Sequence, residues 1–224
     1  MTRKHQIQPY ENDADYLDSE VEYLRLRLAR IETGKCLGDA ERAATESADT
    51  PRNRRPGVPE LRGTLHALAN QEQQARDEID ARLTRHRADT DRPELGLDRL
   101  CREYDLGAEE RLLLTALAVP CISKELADRI LYEQGGFCGR LSVGELVTIL
   151  DPKGVGDWIQ ARRYFRPSTP LEKHGLVVVE PYGFPTAETL MTSNVELTLK
   201  AFAIIISDPE VLAEVPADDK QVAP

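Results

Sequence analysis

Two prolines followed by a β-branched run constrain the fold of this chain more than any other feature. In the stretch RRYFRPSTPLEKHGLVVVEP, residues 162–181, Pro167 and Pro170 cannot continue a helix, because proline lacks an amide hydrogen and clashes with the preceding turn. The segment GLVVVEP, residues 175–181, is short, β-branched and bounded by glycine and proline, which predicts a strand. The segment LMTSNVELTL, residues 190–199, alternates in part and is predicted to return beside it. The sequence therefore predicts a helix that leads into a β-hairpin.

The segments ahead of this hairpin predict a helical core. The segment AEERLLLTALAVP, which begins at Ala108, is apolar almost all round, as is typical of a helix at the centre of a core. In LSVGELVTIL, Ser142 is followed three residues later by Glu145, the pattern of a capping box at a helix N-terminus. Several helices followed by a two-stranded hairpin are the parts of a winged helix. We predict a winged-helix domain over residues 93–206.

The N-terminal region predicts a helical arm. Five apolar residues recur at the spacing of a coiled-coil seam: Leu17, Val21, Leu24, Leu28 and Ile31. Because two heptads are too short to form a stable helix alone in water, we predict that this seam docks against a partner, in the same chain or in another copy. The first helix is predicted within residues 1–38. A second long polar helix is predicted over residues 59–92, where Glu72 interrupts a narrow apolar stripe, and the two helices can pair as a hairpin.

Two segments are predicted to lack regular structure. Residues 39–58 contain prolines and charges but few large apolar side chains, which is typical of a flexible linker. Residues 207–224 carry five carboxylates against Lys220 alone and are predicted to be an acidic, disordered tail. The predicted fold class is mainly α with a small β-wing. An N-terminal helical hairpin or coiled-coil arm is followed by the winged-helix domain.

Several stretches resemble a known family. LDRLCREYDLGAEERLLLTALA, LSVGELVTILDP and RRYFRPSTPLEKHGLV resemble parts of the N-terminal winged-helix domain that precedes the ATPase module in a group of bacterial and archaeal AAA+ ATPases. Some of these ATPases are encoded with contractile, phage-tail-like injection systems. YENDADYLDSEVEYLRLRLARI resembles the helix that these proteins place first, and VPELRGTLHAL falls where a second block of the family starts. The resemblance covers about residues 10–206.

The resemblance implies an accessory or adaptor module without its ATPase. No segment matches the phosphate-binding pattern G-x-x-x-x-G-K-[ST]. In TGKC, residues 33–36, Cys36 replaces the Ser or Thr that would hold Mg²⁺, and Ala29 stands where the first glycine belongs. We therefore expect no nucleotide and no other cofactor. The expected partner is a protein, either an AAA+ ATPase or a second copy of this chain; an ATPase with an unrecognised site is an alternative.

The sequence also shows no catalytic or metal-binding constellation. The four histidines are scattered, and no two stand at metal-ligand spacing. No serine lies in a G-x-S-x-G elbow. Glu109 and Glu110 are adjacent carboxylates, but at a helix N-terminus they complement the helix dipole. We therefore expect a protein that is not an enzyme and holds no metal.

The other alternative is a DNA-binding transcriptional regulator that dimerises through the N-terminal helix. Its phosphate contacts would be Arg162, Arg163, Arg166 and Lys173. Against it, the chain carries a net charge of −10, and residues 95–180 contain fewer basic than acidic residues. The helix before the wing carries Asp157, Trp158 and Ile159, which do not read base edges. Protein docking is therefore the preferred interpretation.

The sequence predicts a cytoplasmic protein. The N-terminal residues contain no apolar stretch of the kind found in signal peptides, and no apolar run reaches the ~18 residues of a membrane span. The four cysteines lie far apart, which favours reduced thiols over a disulfide framework.

Overall fold

A computed structural model describes residues 8–46, 57–137, 140–180 and 186–214. Within them the chain is mainly helical with one small antiparallel sheet, which confirms the predicted fold class. The arm consists of helices α1, Asp13–Glu46, and α2, Val58–Ala88. The elements that follow are α3 Gly96–Glu103, α4 Ala108–Ile122, α5 Lys124–Ala127, a π-helix Asp128–Gln134, α6 Val143–Ile149, α7 Val155–Ala161, a 3₁₀ turn Arg162–Phe165, α8 Pro170–Lys173, β1 Val177–Glu180, α9 Ala187–Thr192, β2 Asn194–Leu197, α10 Leu199–Ile205 and α11 Pro209–Glu214.

The sheet is the predicted hairpin. β1 and β2 are antiparallel, with Val177 opposite Leu197. Leu141, just ahead of α6, also bonds to this sheet: its carbonyl oxygen accepts a hydrogen bond from the Val195 amide of β2 at 2.9 Å. The helices and the hairpin are thereby tied together at the base of the wing.

The return into the sheet contains a helix that the alternating pattern does not predict. Residues 190–199 are predicted as a strand, but only Asn194–Leu197 is a strand, because α9 ends just before it. Thr186 caps α9: its hydroxyl oxygen accepts a hydrogen bond from the Thr189 amide at 3.1 Å. Residues 181–185, which connect β1 to this return, lie outside the described residues.

Helix α1 is longer than predicted. The prediction ends this helix at residue 38 and makes residues 39–58 a flexible linker, yet α1 continues to Glu46. It runs through two glycines, each of which costs about 1 kcal/mol relative to alanine in a helix. Helix α2 packs along this part of α1, and Arg62 of α2 pairs with Glu41 of α1 at 2.7 Å. The linker prediction is therefore wrong for residues 39–46, while residues 47–56 lie outside the described residues.

The arm and the winged helix share one hydrophobic core. Four of the five seam residues are at most 8% exposed, and Ile31 is half-buried; the four are Leu17, Val21, Leu24 and Leu28. Helix α1 lies against α4 and the π-helix, so these side chains pack within the same chain. Of the two partners that the sequence allows for the seam, the same chain or another copy, the structure shows the same chain. The predicted domain boundary at residue 93 is likewise no break in the core.

The predicted disordered tail begins with an ordered helix. Residues 209–214 form α11, and Leu212 packs against the core. The Asp208 carboxylate caps this helix by accepting hydrogen bonds from the amides of Glu210 and Val211 at 2.9 and 3.2 Å. The prediction of disorder from residue 207 is therefore wrong up to residue 214. Residues 215–224 lie outside the described part of the chain.

Candidate docking surface

Arg27 joins the arm to the winged helix. Its Nε donates a hydrogen bond to the Ile149 carbonyl at 2.7 Å, and its Nη2 donates to the Leu150 carbonyl at 2.8 Å. These carbonyls lie at the C-terminal end of α6, where helix carbonyls lack partners within the helix. The Nη1 atom donates to Glu72 at 2.9 Å and to the Tyr23 hydroxyl at 3.1 Å. Because the side chains of Arg27 and Glu72 are only 17% and 10% exposed, the cluster is largely shielded from water.

Arg30 extends this cluster to the turn between α6 and α7. It pairs with Glu72 and, at 2.6 Å, with Asp151. Burial by itself would raise the pKa of the Asp151 carboxyl, but hydrogen bonds from Lys153 and Arg30 outweigh it and hold that pKa below its usual value. Asp151 adopts a φ of +56°, a region that aspartate tolerates better than most side chains. The arm is therefore fixed to this turn by Arg27 and Arg30 together.

Sequence reasoning missed these contacts between the arm and the domain. The available signal was Glu72, a carboxylate in the middle of the apolar stripe of α2. A charged residue on an apolar face is buried only when it is paired, so Glu72 implies cations on the opposing helix. Arg27 and Arg30 supply them.

A cleft of about 600 Å³ opens beside this cluster, between the arm and the turn that precedes α7. We call it the arm cleft; it is lined by Arg30, Ile31, Gly34, Lys35, Leu65, Ala69, Thr148, Asp151, Pro152, Lys153 and Trp158. Its arm wall is formed by two antiparallel helices with small residues, Gly34 and Ala69, at the surface. Trp158 of α7 forms the opposite wall and is half-buried. The cleft thus combines an apolar lining with a large aromatic side chain, which is typical of a protein-binding site.

The outward surface of α7 adjoins the arm cleft at Trp158. Val155 and Ile159, one helical turn apart, are 78% and 51% exposed. Gln160 is exposed beside them. We call Val155, Ile159 and Gln160 the α7 face. The Gln160 amide can hydrogen-bond to a protein or to the edge of an adenine base, so this residue suits a protein partner and a DNA partner equally.

The predicted nucleic-acid contacts directly follow the α7 face. We call them the basic segment: Arg162, Arg163, Arg166 and Lys173. All are exposed except Arg162, which is half-buried and whose Nε has no hydrogen-bond partner among the described residues. Within the described residues, none of the four forms an ion pair, whereas the arginines of the arm cluster are neutralised. The structure therefore places positive charge that has no ion-pair partner among the described residues next to exposed apolar side chains.

Other candidate sites of the sequence do not assemble here. TGKC, residues 33–36, lies inside the long helix α1, so its backbone amides are not arranged as a phosphate-binding loop. Among the described residues, no group of three or more His, Cys, Asp or Glu side chains is placed to hold a metal ion. In the same part of the chain, no helix has both the length and the apolar character needed to cross a membrane.

Comparison with known proteins places the chain in a family. The family described as winged helix domain, variant, matches residues 1–215, which includes the arm as well as the hairpin. No curated protein and no solved structure matches the chain. The match agrees with the two-stranded hairpin, with the hydrogen bond that joins Leu141 to β2, and with the single core that the helices ahead of the hairpin share with α1. The chain belongs to the winged helix domain, variant, family.

Proposed function

We propose that this chain is a non-enzymatic adaptor that docks a protein partner on the arm cleft and the α7 face. The observation that carries the proposal is the pair Val155 and Ile159, exposed on the helix that a winged helix commonly presents to its ligand. Two exposed aliphatic side chains beside Trp158 provide apolar area for a protein interface, and apolar anchors near the centre of an interface contribute most of its affinity.

The charge of the surface defines the chemistry of the partner. Arg163 lies in the 3₁₀ turn that directly continues α7, four residues after Ile159, so the apolar part of the α7 face leads into the basic segment. These cations have no carboxylate partner among the described residues. A complementary partner segment therefore presents apolar side chains flanked by carboxylates, which would also speed its association.

The resemblance to AAA+ ATPases suggests where such a segment is found. In that family the winged helix stands ahead of an ATPase module, so an accessory chain of this kind positions a separate AAA+ ATPase or a second copy of itself. The attachment of the arm through Arg27 and Arg30 supports this role, because an arm that is fixed to the winged helix can hold a bound partner in a defined position relative to it.

Site-specific photo-cross-linking tests the proposed surface. A photoreactive phenylalanine analogue at residue 159 should cross-link to one protein in the native cells. The same analogue at Val178, which is 50% exposed on β1, serves as the matched control and should not capture that protein. Ile159→Asp should then weaken the purified complex at least about tenfold, while Val178→Asp leaves it unchanged. Equal capture from both positions, or equal loss from both aspartate variants, would contradict docking on the α7 face.

DNA binding is the second candidate, and the uncompensated basic segment is the observation that favours it. If it holds, the purified chain retards duplex DNA at low salt, where phosphate contacts are strongest. Replacing Arg163 and Arg166 by alanine should then reduce the slope of log affinity against log salt by about 2, one for each lost phosphate contact. Absence of retardation at low salt removes this candidate.

A further inference from the structure

A second cavity, of about 400 Å³, opens between the C-terminal end of α4, the π-helix and β2. Its floor is apolar and buried, since Leu117, Leu141 and Val195 are only 5%, 3% and 2% exposed. Cys121 of α4 and Tyr132 of the π-helix form its sides. No residue that lines it belongs to the arm cleft, the α7 face or the basic segment. It is therefore a separate site, with the size and apolar lining typical of small-molecule pockets.

Two departures from regular helix geometry shape this cavity. Pro120 lines it from the last turn of α4, where proline supplies no amide hydrogen to the helix. Tyr132 lies in the π-helix, in which the Gly135 amide donates to the Ile130 carbonyl five residues earlier at 3.2 Å. π-Helices are rare and occur frequently at functional sites. Residues of both irregular segments line the same cavity, so both segments shape this one candidate binding site.

The mouth of the cavity has an excess of negative charge. Arg140 pairs with Glu196 at 2.7 Å and with Glu180 at 3.3 Å, so one cation faces two carboxylates. All three side chains are substantially exposed, and Arg140 and Glu196 also line the cavity. The three side chains together carry one net negative charge, which is contributed by Glu180 beside the cavity.

The Cys121 thiol and the Tyr132 phenol, which both line the cavity, are each influenced by nearby carboxylates. Burial raises the pKa of the Cys121 thiol, and the Glu196 carboxylate raises it further. Burial also raises the pKa of the Tyr132 phenol, and the carboxylates of Asp128 and Glu145 add to this rise. Both groups are therefore held neutral, and an anion entering the cavity would be repelled by these carboxylates, while the Arg140 cation at the mouth is already paired.

We propose that this cavity binds a small organic cation with an apolar body. The buried aliphatic floor accepts the apolar body, and the Tyr132 ring and the Glu196 carboxylate attract the positive charge. An anion of equal size is repelled by the excess carboxylate, and a neutral molecule gains only the apolar contact. This inference does not depend on the proposed docking function, because the two surfaces share no residues.

Thiol protection tests the proposal on the full chain. N-Ethylmaleimide alkylates Cys121 and Cys36, which are both exposed, and mass spectrometry follows each site separately. Benzyltrimethylammonium should slow alkylation of Cys121 to a saturating limit and leave Cys36 unchanged. Benzenesulfonate should give no protection, and benzyl alcohol should protect only at higher concentration. Absence of saturable protection by benzyltrimethylammonium, or equal protection by benzenesulfonate, overturns the proposal.

Two charge variants with opposite expected effects sharpen the test. Glu196→Gln should raise the concentration of benzyltrimethylammonium that gives half protection by about three- to fivefold, because a carboxylate is lost. Arg140→Gln should lower it, because Glu196 and Glu180 lose their shared cation. Each rate is normalised to the same variant without probe, and Glu125→Gln, an exposed carboxylate outside the cavity, is the matched control. If Glu196→Gln and Arg140→Gln both protect like the wild type, the charge-based recognition is excluded.

Discussion

Replacement of Arg27 by methionine should lower the free energy of unfolding by about 3–5 kcal/mol. Methionine keeps an apolar stem but removes the four hydrogen bonds that this guanidinium donates. The carbonyls of Ile149 and Leu150 lose this donor, and Glu72 retains Arg30. The cost is large because partly buried polar groups are left without partners, and each such group costs about 1–3 kcal/mol.

Urea unfolding followed by circular dichroism measures this effect, and the thermal midpoint should fall by roughly 10 °C for a chain of this size. Arg25→Met is the matched control on the same helix. Arg25 pairs with Glu22 at 2.5 Å, but the two side chains are 36% and 51% exposed, and surface pairs of this kind contribute about 1 kcal/mol or less. If both variants unfold at the same urea concentration, the Arg27 cluster does not hold the arm in place.

Local sequence signals correctly predicted where helices begin and end, because capping residues and prolines act on the backbone next to them. The predicted capping box forms: the Ser142 amide donates to the Glu145 carboxylate at 2.7 Å, and the Glu145 amide donates to the Ser142 hydroxyl at 3.3 Å. Pro167 and Pro170 also act as predicted, since the 3₁₀ turn ends at Phe165 and Pro170 begins a new short helix. These outcomes depend on residues within one or two turns of each other, which a sequence pattern contains in full.

A local sequence pattern does not predict which surface an apolar helix face packs against. The heptad spacing of α1 correctly marks a buried face, but spacing alone does not distinguish a second chain from α4 and the π-helix of the same chain. The same limit applies to the candidate site. The basic segment is predictable, because its residues are neighbours in sequence, whereas the arm cleft brings Ile31 and Leu65 of the arm to Trp158 of α7. Only the packing of the arm on the domain creates that surface.

Leu24→Ala tests whether the heptad seam belongs to the core of a single chain. Leu24 is fully buried, so removal of its branched end leaves a cavity in the shared core and should cost about 2–5 kcal/mol. Leu68→Ala, at a half-buried position of α2, is the matched control and should cost about 1 kcal/mol, because less apolar area leaves water on folding.

The dependence of unfolding on protein concentration decides between the two possible partners of the seam. If α1 packs only within its own chain, the urea midpoint of Leu24→Ala is lower than that of the wild type, and neither midpoint changes with protein concentration, because no association step contributes to stability. A seam that joined two copies would instead make the wild-type midpoint rise with concentration. Such a rise, lost in Leu24→Ala and retained in Leu68→Ala, would show that these leucines serve a dimer. The full burial of Leu24 on a helix that packs against α4 leads us to expect the concentration-independent result, which leaves the arm cleft and the α7 face as the surfaces free to engage a partner.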